Sequence, residues 1–88
     1  MKLIPTEQFN KDAENLPEQI RKIMAKKLEL LLANARHPSL RTKRIKGQVK
    51  GFKNVFEASI TMNYRFLFEI KGDYYILLTC GTHDELFK

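Results

Sequence analysis

The sequence predicts an α+β fold: a small antiparallel β-sheet with an N-terminal helix hairpin packed on one face, forming a single domain over residues 1–88. Three observations carry this expectation. Apolar residues recur at helical spacing in the first half, alternate with polar residues in the second, and the period changes after Thr42. Helices first and a meander of strands afterwards segregate into two layers.

The elements follow in order. Met1 to Ile4 reads as a short strand, ended by Pro5. Phe9, Ala13 and Leu16 recur at helical spacing, giving a first helix from about Thr6. Asn15 is placed to cap a second helix, with Glu18 three residues on in a capping-box pattern and Pro17 in the first turn. Ile20, Ile23, Met24, Leu28, Leu31 and Ala35 form the apolar stripe of that helix. His37-Pro38 ends it, because the residue before a proline is pushed out of the helical region. Two helices joined around Asn15-Leu16-Pro17 make a hairpin with one apolar side.

Arg41 to Ile45 is a candidate strand, with Gly47 and Gly51 bracketing a loop. Phe56, Ala58, Ile60 and Met62 then alternate with Glu57, Ser59 and Thr61, the pattern of a half-buried strand. In the next strand Tyr64, Phe66, Phe68 and Ile70 face one side, and Arg65, Leu67 and Glu69 the other. Lys71-Gly72-Asp73 is a turn signal, and Tyr74 to Cys80 is apolar on both faces, as a central strand is. The sheet face away from the helices is expected to carry Glu57, Ser59 and Arg65.

Composition narrows the function classes. With 43% hydrophobic and 30% charged residues, the chain has the balance of a globular domain and not of a disordered one. No apolar run approaches the ~20 residues of a membrane span, and Met1 to Phe9 lacks the apolar stretch of a signal peptide. One cysteine, Cys80, forms no internal disulfide, and with two histidines it makes no metal-ligand pattern. A cytoplasmic protein without metal or cofactor is expected.

The net charge of +6 is unevenly spread. No acidic residue lies between Glu29 and Glu57, a stretch that carries seven of the sixteen basic residues: Arg36, Arg41, Lys43, Arg44, Lys46, Lys50 and Lys53. Such a segment is either a solvated face or a polyanion-binding patch. It has no amphipathic helical pattern, which argues against a membrane surface.

Familiar catalytic motifs are missing: no Walker glycine loop, no HExxH and no GxSxG. Ser59, His83 and Asp84 hold the residue types of a triad, but the adjacency of the last two says little about geometry. What remains is a carboxylate on a sheet face, a basic segment and a late histidine. That inventory suits RNA cleavage without metal, because RNA brings its own 2′-hydroxyl nucleophile. The protein has to take that proton, stabilise the phosphorane-like charge and protonate the leaving 5′-oxygen. Glu57 is the candidate base, and histidine, which ordinarily titrates near ~6.5, suits either proton-transfer role for His83. Arg65 has the planar fork to grip a phosphate. The competing structural roles are a surface or capping histidine, and an Arg65 paired with Glu69.

The runs "HPSLRTKRIKG", "VFEASITMNYRFLFEIKGDYYILL" and "GTHDELF" resemble the RelE/ParE toxin superfamily, in particular the RelE-, YoeB- and YafQ-like mRNA interferases of toxin–antitoxin systems. The resemblance covers nearly the whole chain, and its specific parts are "NYRFLFEI" and "GTHDELF". It implies a RelE-like fold and a ribosome-dependent endoribonuclease that needs no metal. It assigns the scissile phosphate to Arg65, acid or base catalysis to His83 and packing on the substrate to Phe87. The Glu57 position is held by various polar residues across the superfamily, including lysine. Lys46, Lys50 and Lys53 match the basic segment in type, as ribosomal RNA contacts. The implied partners are a cognate antitoxin, the ribosome and mRNA, with no membrane.

One departure stands out. Relatives commonly carry an arginine shortly before the histidine, where this chain has Leu78, Thr79 and Cys80. Either a lysine of the basic segment substitutes, or the chain is a weak or inactive copy. Two alternatives therefore stand beside the nuclease: a ParE-like gyrase poison, which needs no acid–base residue, and a degenerate member that only binds antitoxin or RNA.

Overall fold

The computed structural model describes residues 1–87. The elements are β1 (Lys2–Pro5), α1 (Glu7–Glu14), α2 (Glu18–Ala33), a 3-10 turn (Pro38–Leu40), β2 (Lys43–Arg44), β3 (Phe56–Ser59), β4 (Tyr64–Lys71), β5 (Tyr74–Thr82) and α3 (His83–Leu86). The strands form one sheet in the order β1-β5-β4-β3-β2. Four of them run antiparallel, as expected, but β1 pairs parallel with β5, Lys2 opposite Tyr74 and Pro5 opposite Leu77. Parallel neighbours need a long crossover, which the helices and the β2–β4 meander between them provide. Among the described residues no helix is long and apolar enough to cross a membrane.

Thr6 joins the two layers. Its hydroxyl oxygen accepts from the Phe9 N–H (3.1 Å), capping α1, and its O–H donates to the Leu77 carbonyl (2.8 Å) on β5. Asn15 does not cap α2 as expected. It closes α1 as its C-cap, and α2 begins after Pro17 with no side-chain cap. Leu16 has to be buried at this corner, and the three residues from Asn15 to Pro17 form the turn that buries it. The second helix ends at Ala33, before the predicted stop. His37 then caps the 3-10 turn by accepting the Ser39 N–H on Nδ1 (3.1 Å), and Leu40 is fully buried.

The helix side of the sheet holds the main core. Phe9, Leu16, Met24 and Leu31 pack with Ala58, Ile60, Phe66, Phe68, Tyr75, Leu77 and Cys80. Phe68 lies at its centre, with ring centroids 5.6 Å from Phe56, 5.8 Å from Phe66 and 5.5 Å from Tyr75. Met62 does not continue β3. That strand stops at Ser59, the chain turns through Thr61 to Asn63, and Met62 is exposed.

The opposite face is less polar than expected. Val49 and Val55 from the basic loop and Leu86 from α3 fold over it and bury Leu67 and Leu78 in a second cluster. A β-bulge makes this possible. Leu67 pairs with Thr79 but Phe68 pairs with Leu77, leaving Leu78 as the extra residue on β5. Strict alternation would put Leu77 and Cys80 on opposite faces; the bulge re-phases the strand so that both join the helix-side core.

Two measurements check this packing. Phe68→Ala should lower unfolding free energy by about 3–5 kcal/mol in urea titration. The Cys80 thiol is pushed up to about 12, first by burial and then by the negative charge of Asp12. Its proton therefore stays on at pH ~8, and native protein should resist iodoacetamide while urea-unfolded protein is alkylated readily.

Candidate active site

Glu57 and Arg65 meet on the face opposite the helices. The β3–β4 register sets Ser59 beside Arg65 and Glu57 beside Leu67, so Arg65 reaches Glu57 diagonally across the ladder. Its Nε donates to Glu57 Oε1 at 3.0 Å, and its Nη1 donates to the carbonyls of Thr61 (2.5 Å) and Tyr64 (3.1 Å). The two side chains are only 15% and 7% exposed. Arg65 therefore pairs with Glu57 and not with Glu69. Removing either partner of so enclosed a pair would leave the other buried without its counter-charge.

His83 is delivered by α3. Thr82 caps this short helix in a reciprocal box: its hydroxyl accepts the Glu85 N–H (3.2 Å), while Glu85 Oε1 accepts the Thr82 N–H (3.0 Å). The His83 N–H donates to the Asn63 carbonyl at 2.9 Å, pinning the start of α3 to the β3–β4 turn. The imidazole lies 4.8 Å from the Phe87 ring, one helical turn on. Its Nδ1 is 3.9 Å from Asp84 Oδ1, beyond hydrogen-bond range, and the ring is half exposed.

Glu57, His83 and Phe87 line one cavity of about 380 Å³, together with Lys43, Arg44, Ile45 and Lys46. Of the residues expected at a site, Glu57, His83, Phe87 and Lys46 are thus brought together. Arg65 does not line the cavity, but its Nε donates to Glu57, which does. Lys50 opens on a separate cavity of about 680 Å³ that also includes Asp12, Cys80 and Glu85. Lys53 lines a third, of about 570 Å³, shared with Lys46. Neither Ser59 nor Asp84 reaches the cavity of His83, so no serine triad forms.

Sequence reading had no role for Lys43. It stands directly opposite Glu57 in the β2–β3 pairing, and opposed residues share a sheet face. The alternation of Lys43 and Ile45 hints at that face, but a two-residue strand carries too little pattern to fix its register.

A carboxylate and an imidazole on one cavity can take and give a proton, an aromatic ring can stack on a base, and the lysines can hold a phosphate. No protein-family model matches the sequence, and no curated protein matches it either. Similarity appears in solved structures. A copper-bound mutant toxin from Helicobacter pylori superposes with TM-score 0.72 at 24% identity, covering 99% of both chains. A RelB-RelE antitoxin-toxin complex from Methanococcus jannaschii gives 0.74 at 25% identity, over 93% of this chain and 92% of that one. YafQ from E. coli gives 0.74 at 18%, over 98% and 97%. The chain has the RelE/YoeB-like toxin fold. In this toxin fold the near-complete coverage of both chains includes the sheet, the helices and the segment that carries His83.

The buried pair makes a stability prediction. Arg65→Met strands the Glu57 carboxylate and should cost about 3–5 kcal/mol of unfolding free energy. The double variant Arg65→Met/Glu57→Leu should recover most of that loss, as read by urea denaturation.

Proposed function

We propose that the chain is the toxin of a toxin–antitoxin pair and acts as an mRNA endoribonuclease on the ribosome, using the RNA 2′-hydroxyl and no metal. The observation that carries this reading is the convergence of Glu57 and His83 on one cavity beside Phe87, flanked by lysines. Glu57 takes the proton of the 2′-hydroxyl as its oxygen bonds to the adjacent phosphorus. The bond from phosphorus to the 5′-oxygen breaks, and protonated His83 gives its proton to that oxygen. The products are a 2′,3′-cyclic phosphate, which water can open to a 3′-phosphate, and a 5′-hydroxyl. Arg65 fixes Glu57 in place through its Nε hydrogen bond, and Phe87 stacks on a base next to the cut. Lys46, Lys50 and Lys53 contact ribosomal RNA, and the chain's net charge of +6 favours a polyanion.

The partner is a separate antitoxin whose acidic segments complement that charge; the M. jannaschii neighbour is itself an antitoxin-toxin complex. The compartment is the cytoplasm, where ribosomes and antitoxin meet. A ParE-like gyrase poison would have no use for a carboxylate and an imidazole lining one cavity.

The test is to incubate the chain with ribosomes programmed with an mRNA and identify the ends formed. Cleavage that depends on ribosomes and leaves a 5′-hydroxyl is expected. His83→Ala should slow it at least ~10²-fold with ribosome affinity and far-UV circular dichroism unchanged. A variant that cleaves normally would remove His83 from the chemistry.

A further inference from the structure

We propose that Lys43 is the residue that neutralises the scissile phosphate, an assignment that rests on the nuclease reading above. Charge building on the non-bridging oxygens needs a cation that can touch them, so each cation near the cavity can be judged by what it already holds. Arg65 is largely committed: its Nε is on Glu57, its Nη1 on two backbone carbonyls, and it does not line the cavity. Its positive charge is matched at 3.0 Å by the carboxylate it supports. The last strand offers nothing, since Leu78, Thr79 and Cys80 are all buried and uncharged.

Three basic residues do line the cavity. Arg44 is opposite Phe56, a residue of the helix-side cluster, and its Nη2 donates to Asn54 Oδ1 at 2.5 Å. Lys46 lies beyond the end of β2 and is shared with the neighbouring cavity that holds Lys53. Lys43 is set by the ladder itself, directly opposite Glu57 and on the same face, and it is exposed. Among the described residues no carboxylate pairs with it, because the one beside it is engaged by Arg65. A free ammonium next to the base is where the phosphate must lie for Glu57 to reach the adjoining 2′-hydroxyl. Lys43 transfers no proton in this scheme; it binds the oxygens more tightly as their charge grows.

The experiment compares wild type, Lys43→Ala, Lys43→Arg and Lys46→Ala in single-turnover cleavage of ribosome-bound mRNA, with ribosome affinity measured separately. Lys43→Ala should slow the cleavage step about 10²-fold with affinity changed less than about threefold. Lys43→Arg should restore most of the rate, and Lys46→Ala should weaken affinity more than the cleavage step. A phosphorothioate at the scissile phosphate should slow wild type and have a smaller further effect on Lys43→Ala, an interaction that loss of folding does not mimic. Cleavage by wild type that Lys43→Ala leaves intact overturns the assignment alone. No cleavage by wild type overturns the nuclease reading and this assignment together.

Discussion

The bulged β4–β5 ladder is the constraint on which the remainder of this molecule depends. These are the two longest strands, they are central in the sheet, and each face of the pair anchors a different cluster. With Leu78 as the extra residue, Leu77 and Cys80 both turn to the helices while Leu78 fills the opposite side. The same re-phasing sets Gly81 beside Arg65 and Thr82 beside Tyr64. It therefore decides where β5 stops and where α3 starts. A strand without the bulge would reverse the facing of every residue beyond it.

From that ladder the site is assembled by short tethers. Arg65 on β4 donates to the Thr61 and Tyr64 carbonyls and holds Glu57 on β3; the Asn63 carbonyl of the same turn accepts the His83 N–H. One turn thus positions both the carboxylate pair and the imidazole. Two groups on different elements are fixed together in this way, because each is referenced to the same backbone and not to a flexible surface loop. The basic loop serves twice as well. Its valines cover Leu67 and Leu78, and its lysines are left exposed to solvent.

The nearby charges divide by burial. Arg65 is enclosed with a carboxylate, where a lone charge is costly, and its Nε holds that carboxylate in place. Lys43 and Lys46 line the same cavity as that carboxylate and stay exposed to solvent. Cys80, enclosed beside Asp12, is held as a neutral thiol and acts as a small core residue.

Local pattern was enough to specify the two layers and most of the elements. Apolar spacing carries the helices and the sheet face of Phe56, Ala58, Ile60, Phe66 and Phe68, because periodicity is a local property written in every few residues. The motifs around Arg65 and His83 likewise singled out residues that the fold gathers around one turn, the one between β3 and β4. Folding in three dimensions was needed for the parallel pairing of β1, the turn role of Asn15, the early end of β3 before Met62, and the bulge at Leu78. It was needed too for the pairing of Arg65 with Glu57 and for the placement of Lys43 across from that carboxylate. Each of these depends on which strand lies beside which and in what register. Register is fixed by contacts between residues far apart in the chain, and a one-residue slip is invisible in a two-residue strand or in a strand apolar on both faces.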